Sequence, residues 1–289
     1  MPILSAIIVN YRTGEYVHRC IDSILTNPPD GGVEVIAIDN ASADGSVEEL
    51  RKRGDITLVE NEHNVGYAGG CNAGARLASG EFIMFLNPDV EVGPGVLESL
   101  INFLRDTPAA GAAAPQLESF DGRKQESYRR FPTILSVFGA RRSPLYRLWP
   151  GNPISRRSFY GDLDLDSTGP TPVDAVGGAA LIFPRHILET TGGMDPGFFM
   201  YLEDIDFCRR ISLAGYDVYI VPHVRVTHRW AVSTKKHPYR MTLVHYVSLG
   251  RYFYKHNPLR FVIYLAVSPL LIFFALTQWL LILLSSRNS

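Results

Sequence analysis

Cysteine is scarce in this chain, with only three among 289 residues. Cys20, Cys71 and Cys208 lie far apart and form no Cys-x-x-Cys pair. Because disulfide frameworks and cysteine zinc sites need several cysteines at suitable spacing, the sequence predicts neither of them. Scattered cysteines in odd number are typical of a protein that works in a reducing compartment.

An excess of charge of either sign is also lacking. The formal net charge is −1, and 46% of the residues are apolar. This composition is typical of a globular protein, and it provides no overall attraction to nucleic acid. Residues 1–9 lack the basic start and the cleavage site of a secretory signal peptide, so we expect the folded part of the chain to stay in the cytosol.

Strand and helix patterns alternate along the first hundred residues. Val17, Ile21 and Ile24 recur at helical spacing after the first apolar run, and Ser46 with Glu49 forms a capping-box pattern that predicts a second helix. This alternation predicts an α/β fold with a parallel sheet covered on both faces. The predicted strands are residues 3–9, 33–38, 56–59, 82–86, 179–183, 217–221 and 224–228, and a later helix is predicted over residues 203–214.

Polar residues follow three of these apolar runs. Ligands of parallel α/β sheets bind at the carboxyl ends of the strands, so these positions are candidate ligand contacts. Asp, Asn and the Asn-Pro-Asp sequence are also common in turns, and ordinary turns are the alternative. The residues are Asn10 and Tyr11, Asp39 and Asn40, and Asn87 with Asp89.

A glycine-rich stretch, residues 64–72, contains two asparagines at its ends. Glycine lets the backbone approach a ligand closely, and the amides of Asn64 and Asn72 can bond to a ribose or a phosphate. The stretch matches neither the dinucleotide pattern GxGxxG nor the phosphate-loop pattern, so an ordinary loop is the alternative.

Three acids lie within four positions of an aromatic-rich run. If this run is helical, Glu203 and Asp206 share one face, whereas Asp204 points elsewhere. A carboxylate beside an apolar wall is suited to act as a general base. Acids near a helix start are also favoured by the helix dipole alone, which is the alternative. A lone histidine, His228, follows the last predicted strand.

Taken in order along the chain, these pieces resemble the family 2 glycosyltransferases. Within that family the chain is most similar to the rhamnosyltransferase branch, which builds cell-wall or O-antigen polysaccharide in bacteria. The resemblance spans residues 3–230, and the joint occurrence of its parts is far more specific than any one of them. It is carried by residues 5–11, 38–46, 64–66 with Asn72, 87–89, 192–195 and 203–206, and by His228.

The resemblance implies the GT-A nucleotide-diphospho-sugar transferase fold, which has a Rossmann-like mixed sheet. It also implies that Asp39 binds the nucleobase, with Tyr11 and Asn40 beside the nucleotide. Asn64, Gly66 and Asn72 would line the sugar and phosphate side. Asn87 replaces the first acid of the family's usual Asp-x-Asp motif and would contact the sugar or metal-bound water.

The same resemblance implies catalytic and metal-binding roles. Asp89 and His228 would bind Mg²⁺ or Mn²⁺, and Asp204 would be the general base in an inverting, single-step displacement. The expected reaction moves rhamnose from dTDP-rhamnose to a lipid-linked or polysaccharide acceptor in cell-envelope glycan synthesis. Alternatives are a UDP- or GDP-sugar donor, or a non-catalytic module that binds nucleotide sugars. No nucleic-acid partner is expected.

The last part of the chain differs in composition. Residues 261–284 contain no charge over 24 positions, and a helix of that length spans about 36 Å at 1.5 Å per residue. This exceeds a hydrocarbon core of about 30 Å, so we expect a membrane-associated or transmembrane helix. Basic residues precede it, which places the catalytic part at the cytoplasmic face. An interfacial helix broken at Pro269 is the alternative.

These patterns divide the chain into four expected parts. Residues 119–172 are rich in arginine and aromatic residues, and we expect them to face lipid headgroups or a lipid-diphosphate acceptor. A solvated loop, or a nucleic-acid surface of the same composition, are alternatives. The parts are residues 1–118, a nucleotide-sugar half; 119–230, an acceptor-side half; 231–260, an amphipathic basic connector; and 261–284, the membrane helix.

Overall fold

The computed structural model describes residues 1–139, 144–161, 169–229 and 238–286, but not the side chains of residues 139, 144, 147, 238–240 and 274–286. The chain divides into two compact units. The first unit contains residues 1–129 and 164–233, and the second contains residues 130–163 and 234–289.

The first unit is built around one mixed β-sheet with a small separate β-pair. Its strands, numbered in chain order, are β1 (Leu4–Asn10), β2 (Val33–Asp39), β3 (Thr57–Glu60), β4 (Phe82–Leu86), β5 (Val90–Val92), β6 (Ala110–Glu118), β7 (Lys124–Gln125), β8 (Tyr128–Arg129), β9 (Thr171–Val173), β10 (Ala175–Val176), β11 (Ala180–Pro184) and β12 (Asp217–His228). β8 and β10 form the separate antiparallel pair.

Helices cover the sheet of the first unit and make up most of the second. Those of the first unit are α1 (Glu15–Thr26), α2 (Ser46–Leu50), α3 (Gly66–Ala75), α4 (Val96–Asp106), α8 (His186–Thr191) and α9 (Glu203–Leu213). Those of the second unit are α5 (Ile134–Gly139), α6 (Pro144–Leu148), α7 (Pro153–Ser158), α10 (Pro238–His256) and α11 (Pro258–Ser286).

The strand order of the main sheet is β3-β2-β1-β4-β11-β6-β12-β5, with β7 beside β6 and β9 beside β12. β1 pairs in parallel with β2 and β4, as the alternating pattern predicts. β11 runs antiparallel to β4, and β5 runs antiparallel to β12. The sheet is therefore mixed, as the GT-A resemblance implies, and the parallel pairing predicted from the alternation holds for β1 to β4.

Hydrophobic burial explains why the predicted elements form where they do. Every side chain of β1 is buried, as expected for a strand covered on both faces. α1 buries Val17, Cys20, Ile21 and Ile24, which confirms the helical spacing seen in the sequence. α9 buries both Glu203 and Asp206, which are predicted to share a face, whereas Asp204 remains partly exposed.

Two local predictions are wrong for identifiable reasons. Ser46 is not the N-cap of α2, because Gly45 takes that position with a φ of 82° and Ser46 is the first helical residue. The two strands predicted near the end of the first unit are one strand, β12, whose pairing with β6 shifts between Val221 and Arg225. Pro222 lies in that interval and has no N–H to donate, which explains the irregularity.

The two halves expected on either side of residue 118 contribute strands to the same sheet. β11 lies between β4 and β6, and β12 lies on the far side of β6. Chain segments from both expected halves therefore share one sheet and one hydrophobic core. The second unit also combines parts of the expected acceptor half with the connector and the C-terminal segment.

The second unit contains a pair of packed helices. Tyr264 of α11 donates a hydrogen bond to the carbonyl of Tyr246 in α10 at 2.8 Å, and Gly250 permits close approach because an added Cβ would lie 3.1 Å from the Tyr264 ring. Among the described residues, no helix combines the length and the apolar character needed to cross a bilayer. The membrane helix expected over residues 261–284 is thus not supported, and its side chains beyond residue 273 lie outside the described residues.

The buried ion pair of α9 generates a stability prediction. Asp206 is fully buried and accepts a hydrogen bond from Arg210 Nε at 2.8 Å, while Arg210 also donates to the carbonyls of Thr191 and Gly193. Asp206→Ala leaves the guanidinium without its carboxylate, and we expect a loss of about 3 kcal/mol or more in the free energy of unfolding, measured by urea denaturation. Glu15→Ala removes an exposed pair with Arg19 and should leave the midpoint unchanged. A midpoint for Asp206→Ala equal to that of the control would contradict the prediction.

Candidate active site

A buried polar network joins the carboxyl ends of β1 and β2. Asn10 donates from Nδ2 to Asp39 Oδ1 at 2.7 Å, and Ser42 donates its backbone N–H to Asp39 Oδ2 at 2.9 Å. Thr13 in turn donates to Asn10 Oδ1. Asp39 is 3% exposed, and protein donors hold both of its oxygens. Because each carboxylate oxygen has more than one lone pair, Asp39 keeps acceptor capacity for the N–H edge of a base, and that role stays a prediction.

The two residues expected beside Asp39 differ in their surroundings. Tyr11 is partly exposed at the rim of the strand ends, with the Arg12 guanidinium 5.1 Å from its ring centroid. Asn40 is buried and donates from Nδ2 to the carbonyl of Gly66 at 3.1 Å, while Asn61 donates to its Oδ1. Tyr11 is therefore placed to contact a ligand, whereas Asn40 links β2 to the start of α3.

The tertiary structure brings Asp89 and His228 together from positions far apart in the sequence. β5, just after Asp89, pairs antiparallel with the end of β12, so that His228 lies opposite Val90. His228 Nε2 lies 3.4 Å from Asp89 Oδ1, and both side chains are almost completely buried. This confirms the spatial proximity that a shared metal site requires.

Gln125 orients the imidazole ring of His228, so that Nδ1 faces Gln125 and Nε2 faces Asp89. Gln125 Nε2 donates to the carbonyl of His228 at 2.9 Å, which leaves its Oε1 facing His228 Nδ1 at 2.7 Å. Nδ1 must then carry a hydrogen. Nε2 faces Asp89 either as a charged donor or as the neutral nitrogen that binds metals, and such orientation of a histidine by a neighbouring acceptor is common in metal sites.

The residues around Asp89 fit a divalent cation whose remaining ligands come from a substrate. Over residues 1–139, 144–161, 169–229 and 238–286, no cluster of three or more His, Cys, Asp or Glu side chains could hold a metal. Asp89 contributes one carboxylate here, and His228 contributes one imidazole. Mg²⁺ commonly binds through one or two carboxylates plus substrate phosphates, so this small donor set suits a nucleotide diphosphate complex. Asn87, two residues before Asp89, is partly exposed.

The glycine-rich stretch forms α3 and its N-terminal turn, and it contacts the loop before α9. Asn64 Oδ1 accepts the N–H of Gly66 at 2.9 Å and so shapes the turn. Asn72 donates to the carbonyl of Met194 at 2.7 Å and accepts the Met194 N–H at 2.9 Å. The amide of Asn72 is therefore engaged by protein backbone, while the expected nucleotide contacts of Asn64, Gly66 and Asn72 remain predictions.

Asp204 is held by two backbone donors. Gly178 donates its N–H to Oδ2 at 2.9 Å, and Ile205 donates its N–H to Oδ1 at 2.8 Å. The carboxylate is nevertheless partly exposed. An oriented, accessible carboxylate is the arrangement that a general base requires.

The neighbouring acid, Glu203, has the opposite environment. It is 6% exposed, and its Oε2 finds no hydrogen-bond partner among the described residues. Burial raises the pKa of Glu203 well above its usual range, and the adjacent charge of Asp204 raises it further. Two consecutive acids therefore differ in environment, since Glu203 is buried without a partner for Oε2 in the described part of the chain, whereas Asp204 is partly exposed and accepts two backbone N–H groups.

Three residues of the site were missed by sequence reasoning. Gln125 lies in a two-residue strand, and nothing in its sequence surroundings indicates a contact with His228. Gly178 belongs to a Gly-Gly pair just before β11, and such a pair often marks close backbone approach. Tyr67 is the only large side chain in the first turn of α3, and this was a usable signal of a specific contact.

Taken together, the mixed sheet, the acids at its strand ends and the Asp89–His228 pair match what is expected of the glycosyltransferase class. Comparison with known proteins agrees with this class. The model of "Glycosyl transferase family 2" matches residues 5–183. The chain belongs to glycosyl transferase family 2, is a glycosyltransferase, and falls in its rhamnosyltransferase-like branch.

Characterised relatives indicate the branch. The N-acetylglucosaminyl-diphospho-decaprenol L-rhamnosyltransferase of Mycobacterium tuberculosis is 30% identical over 258 residues, which is 85% of this chain and 82% of that protein. The rhamnosyltransferase WbbL of Escherichia coli is 27% identical over 157 residues, covering 53% of this chain and 54% of that one.

Solved structures confirm the GT-A-like fold. The mannosyltransferase PcManGT from Pyrobaculum calidifontis, in complex with GDP-Man and Mn²⁺, superposes with a TM-score of 0.60 at 21% identity. The match covers 88% of this chain and 64% of that one. GalNAc-T7 with UDP, GalNAc and Mn²⁺ gives a TM-score of 0.60 at 20% identity, covering 81% and 45%. At this level of identity the likeness shows the fold alone.

The environment of Glu203 predicts a pH-dependent stability difference. Because its pKa is raised in the folded state, the native protein holds this proton more tightly than the unfolded chain does, and stability is lost as the pH rises above about 4.3, the ordinary glutamate value. Glu203→Gln removes this dependence. The melting temperature of the variant, relative to wild type, should therefore increase between about pH 4 and pH 7.

The control for this prediction is Glu62→Gln, which changes an exposed glutamate. Any fixed effect of the new amide is the same at every pH and cancels in the comparison. A difference between Glu203→Gln and wild type that stays constant across this pH range contradicts the prediction.

Proposed function

We propose that the chain is an inverting, metal-dependent rhamnosyltransferase that transfers rhamnose from dTDP-rhamnose to a lipid-linked acceptor. The observation that carries the proposal is the similarity to the mycobacterial rhamnosyltransferase, which extends over most of both chains. The name of that relative specifies a diphospho-decaprenol acceptor. The site supports the same chemistry because Asp39, Asp89 and His228 lie at the carboxyl ends of strands, on the same side of the sheet.

In this proposal Asp204 accepts the proton of the acceptor hydroxyl. The N–H groups of Gly178 and Ile205 fix the direction of the carboxylate. Proton transfer by a positioned side chain contributes about 10²–10⁴-fold to the rate. Glu203 contributes no second charge while it stays protonated, so the attacking oxygen meets one anionic carboxylate rather than two.

Asp89 and His228 would hold Mg²⁺ or Mn²⁺. Such an ion, when bound, supplies positive charge that stabilises the departing nucleotide diphosphate. Gln125 keeps the imidazole in one orientation through its paired hydrogen bonds. Asn87 would contact the sugar or the hydration shell of the ion, and Asp39 with Tyr11 would receive the base.

The donor and metal assignments predict a specific pattern of activity. With a lipid-linked acceptor and Mg²⁺ or Mn²⁺, dTDP-rhamnose should release nucleotide diphosphate, whereas UDP-glucose and GDP-mannose should not. dTDP-rhamnose should also raise the melting temperature most, because a ligand that binds the native state stabilises it. EDTA should abolish turnover, and Asp89→Ala should weaken donor binding and turnover together.

A matched control is Asp106→Ala, which removes an exposed carboxylate at the end of α4. It should leave both measurements unchanged. A larger thermal shift with UDP-glucose or GDP-mannose supports the alternative donors, and full turnover in excess EDTA rules out the metal assignment. Donor binding with no turnover on any acceptor would favour a non-catalytic nucleotide-sugar-binding module.

The second unit is proposed to bind the cytoplasmic surface of an anionic membrane. It contains 13 of the 28 lysines and arginines but only one of the 29 acids, Asp162. The remainder of the chain is correspondingly acidic. Each basic residue near an anionic bilayer contributes about 1 kcal/mol of attraction. Arg141, Arg142, Lys235 and Lys236, which belong to this set, lie outside the described residues.

Exposed apolar side chains on the helices α10 and α11 also suit a membrane surface. α10 and α11 enclose an apolar groove of about 470 Å³ lined by residues such as Leu243, Val247 and Leu265. These three side chains are exposed to more than half of their area. Exposed apolar residues beside cationic ones such as Arg251 and Lys255 are the pattern of an interfacial helix.

Membrane binding is tested by sedimentation with vesicles. The full chain should sediment with phosphatidylglycerol vesicles and much less with phosphatidylcholine vesicles, and added salt should release it. The double variant Arg251→Glu, Lys255→Glu should lower the affinity by on the order of 1,000-fold, because the two reversals change the charge by four units at about 1 kcal/mol per charge. The matched control reverses Lys52 and Arg76, two exposed residues of the first unit. Equal sedimentation with both lipids, or none with either, contradicts the proposal.

A further inference from the structure

The glycine-rich helix α3 is packed closely against the loop that leads into α9. An added Cβ on Gly66 would lie 2.4 Å from the carbonyl oxygen of Phe199, and Gly66 has a φ of +80°. Only glycine combines this conformation with this approach. Tyr67 then donates its backbone N–H to the same Phe199 carbonyl at 3.0 Å.

Further contacts fix both ends of that loop. Asn72 binds the backbone of Met194 through a donor and an acceptor, as described above. At the other end, Tyr201 and Leu202 have φ values of 68° and 65°, a conformation that side chains other than glycine rarely adopt. Surrounding contacts must maintain such a backbone, and it directly precedes Glu203 and Asp204.

One contact of α3 reaches the partner of the proposed base itself. The Tyr67 hydroxyl donates to the carbonyl of Gly178 at 2.7 Å, and the N–H of the same glycine donates to Asp204 Oδ2 at 2.9 Å. An added Cβ on Gly178 would lie 3.3 Å from Asp204 Cβ and 3.4 Å from the Tyr67 ring. The three residues are therefore in direct contact, with Gly178 between the other two.

The Tyr67 hydroxyl is suited to a lasting donor role. Burial raises the pKa of Tyr67 well above its usual range, so the hydroxyl keeps its proton. On the other side, Gly177 donates its N–H to the carbonyl of Ser127 at 2.5 Å, which anchors the chain just before Gly178. Gly178 is thus held by hydrogen bonds of both neighbouring residues, Gly177 to Ser127 and Ala179 to Asn87, while the Tyr67 hydroxyl binds the carbonyl of Gly178 itself.

We propose that Tyr67 is a positioning residue: it orients Asp204 through Gly178, and in this way α3 holds the proposed base in place. The inference rests on the proposed role of Asp204. It assigns a function to the glycine-rich stretch beyond lining the nucleotide. A carboxylate displaced from its productive orientation loses rate, because proton transfer requires a specific geometry.

The test is a comparison of kinetic constants. Tyr67→Phe should lower kcat on the order of 10-fold and leave the KM for the sugar donor unchanged, because the hydroxyl acts on the base and not on the nucleotide. Replacing Tyr67 with 3-fluorotyrosine retains the hydroxyl and should keep kcat within about twofold of wild type, since the hydrogen bond to Gly178 is retained. Tyr219→Phe is the matched control, because it removes a hydroxyl from a ring that packs on Phe103.

Asp204→Asn separates the inference from the proposed function. Alone it should reduce turnover by about 10²–10⁴-fold, the range for a general base. Combined with Tyr67→Phe it should be no slower than Asp204→Asn alone, because the tyrosine has no base left to orient. If Asp204→Asn keeps more than about a tenth of wild-type turnover, the proposed base is wrong, and the inference falls with it.

Other outcomes overturn the inference while leaving Asp204 as the base. These are an unchanged kcat for Tyr67→Phe, a rise in donor KM at constant kcat, or a loss that adds fully to that of Asp204→Asn. If Tyr67→Phe does not fold, Gly178→Ala provides the second test, since its methyl group presses on Asp204 and the tyrosine ring. It should lower kcat at constant donor KM, and wild-type kcat would overturn the proposal.

Discussion

The antiparallel pairing of β11 with β4 is the constraint on which the site depends. Ala180 lies opposite Leu86, so the beginning of one strand meets the end of the other. The N–H of Asn87 donates to the carbonyl of Ala179 at 2.8 Å. Gly178, which holds Asp204, is thereby placed beside the segment that carries Asp89. A parallel pairing would place these two segments at opposite edges of the sheet.

Around that junction, neighbouring acids are separated by their hydrogen bonds. Asp204 receives two backbone donors, whereas Glu203 is buried and Asp206 is paired with Arg210. The three carboxyls of one short run therefore have three different environments: a partly exposed group with two backbone donors, a buried group with a raised pKa, and a buried ion pair. Such divergence of environment is what lets adjacent groups of the same chemistry act differently in an enzyme.

The chain also separates charge on a larger scale. Basic residues and exposed apolar side chains are concentrated in the second unit, and nearly all the acids are in the first. The net charge of the whole chain hides this asymmetry. Under the proposed function, this acidic unit would need local positive charge to bind a nucleotide diphosphate, and a divalent cation at Asp89 and His228 would supply it.

The amino-acid sequence by itself determined the strands β1 to β4 and the buried face of α1, because these follow from local hydrophobic periodicity. It also indicated the family, since the motifs occur in a specific order. Only the tertiary structure decided the strand order of the sheet, the single strand β12, and the contacts of Gln125 with His228 and of Tyr67 with Gly178. Those contacts join residues more than 100 positions apart. Local periodicity contains no information about such pairs, because they depend on strand register and on how closely the backbones of separate elements can approach.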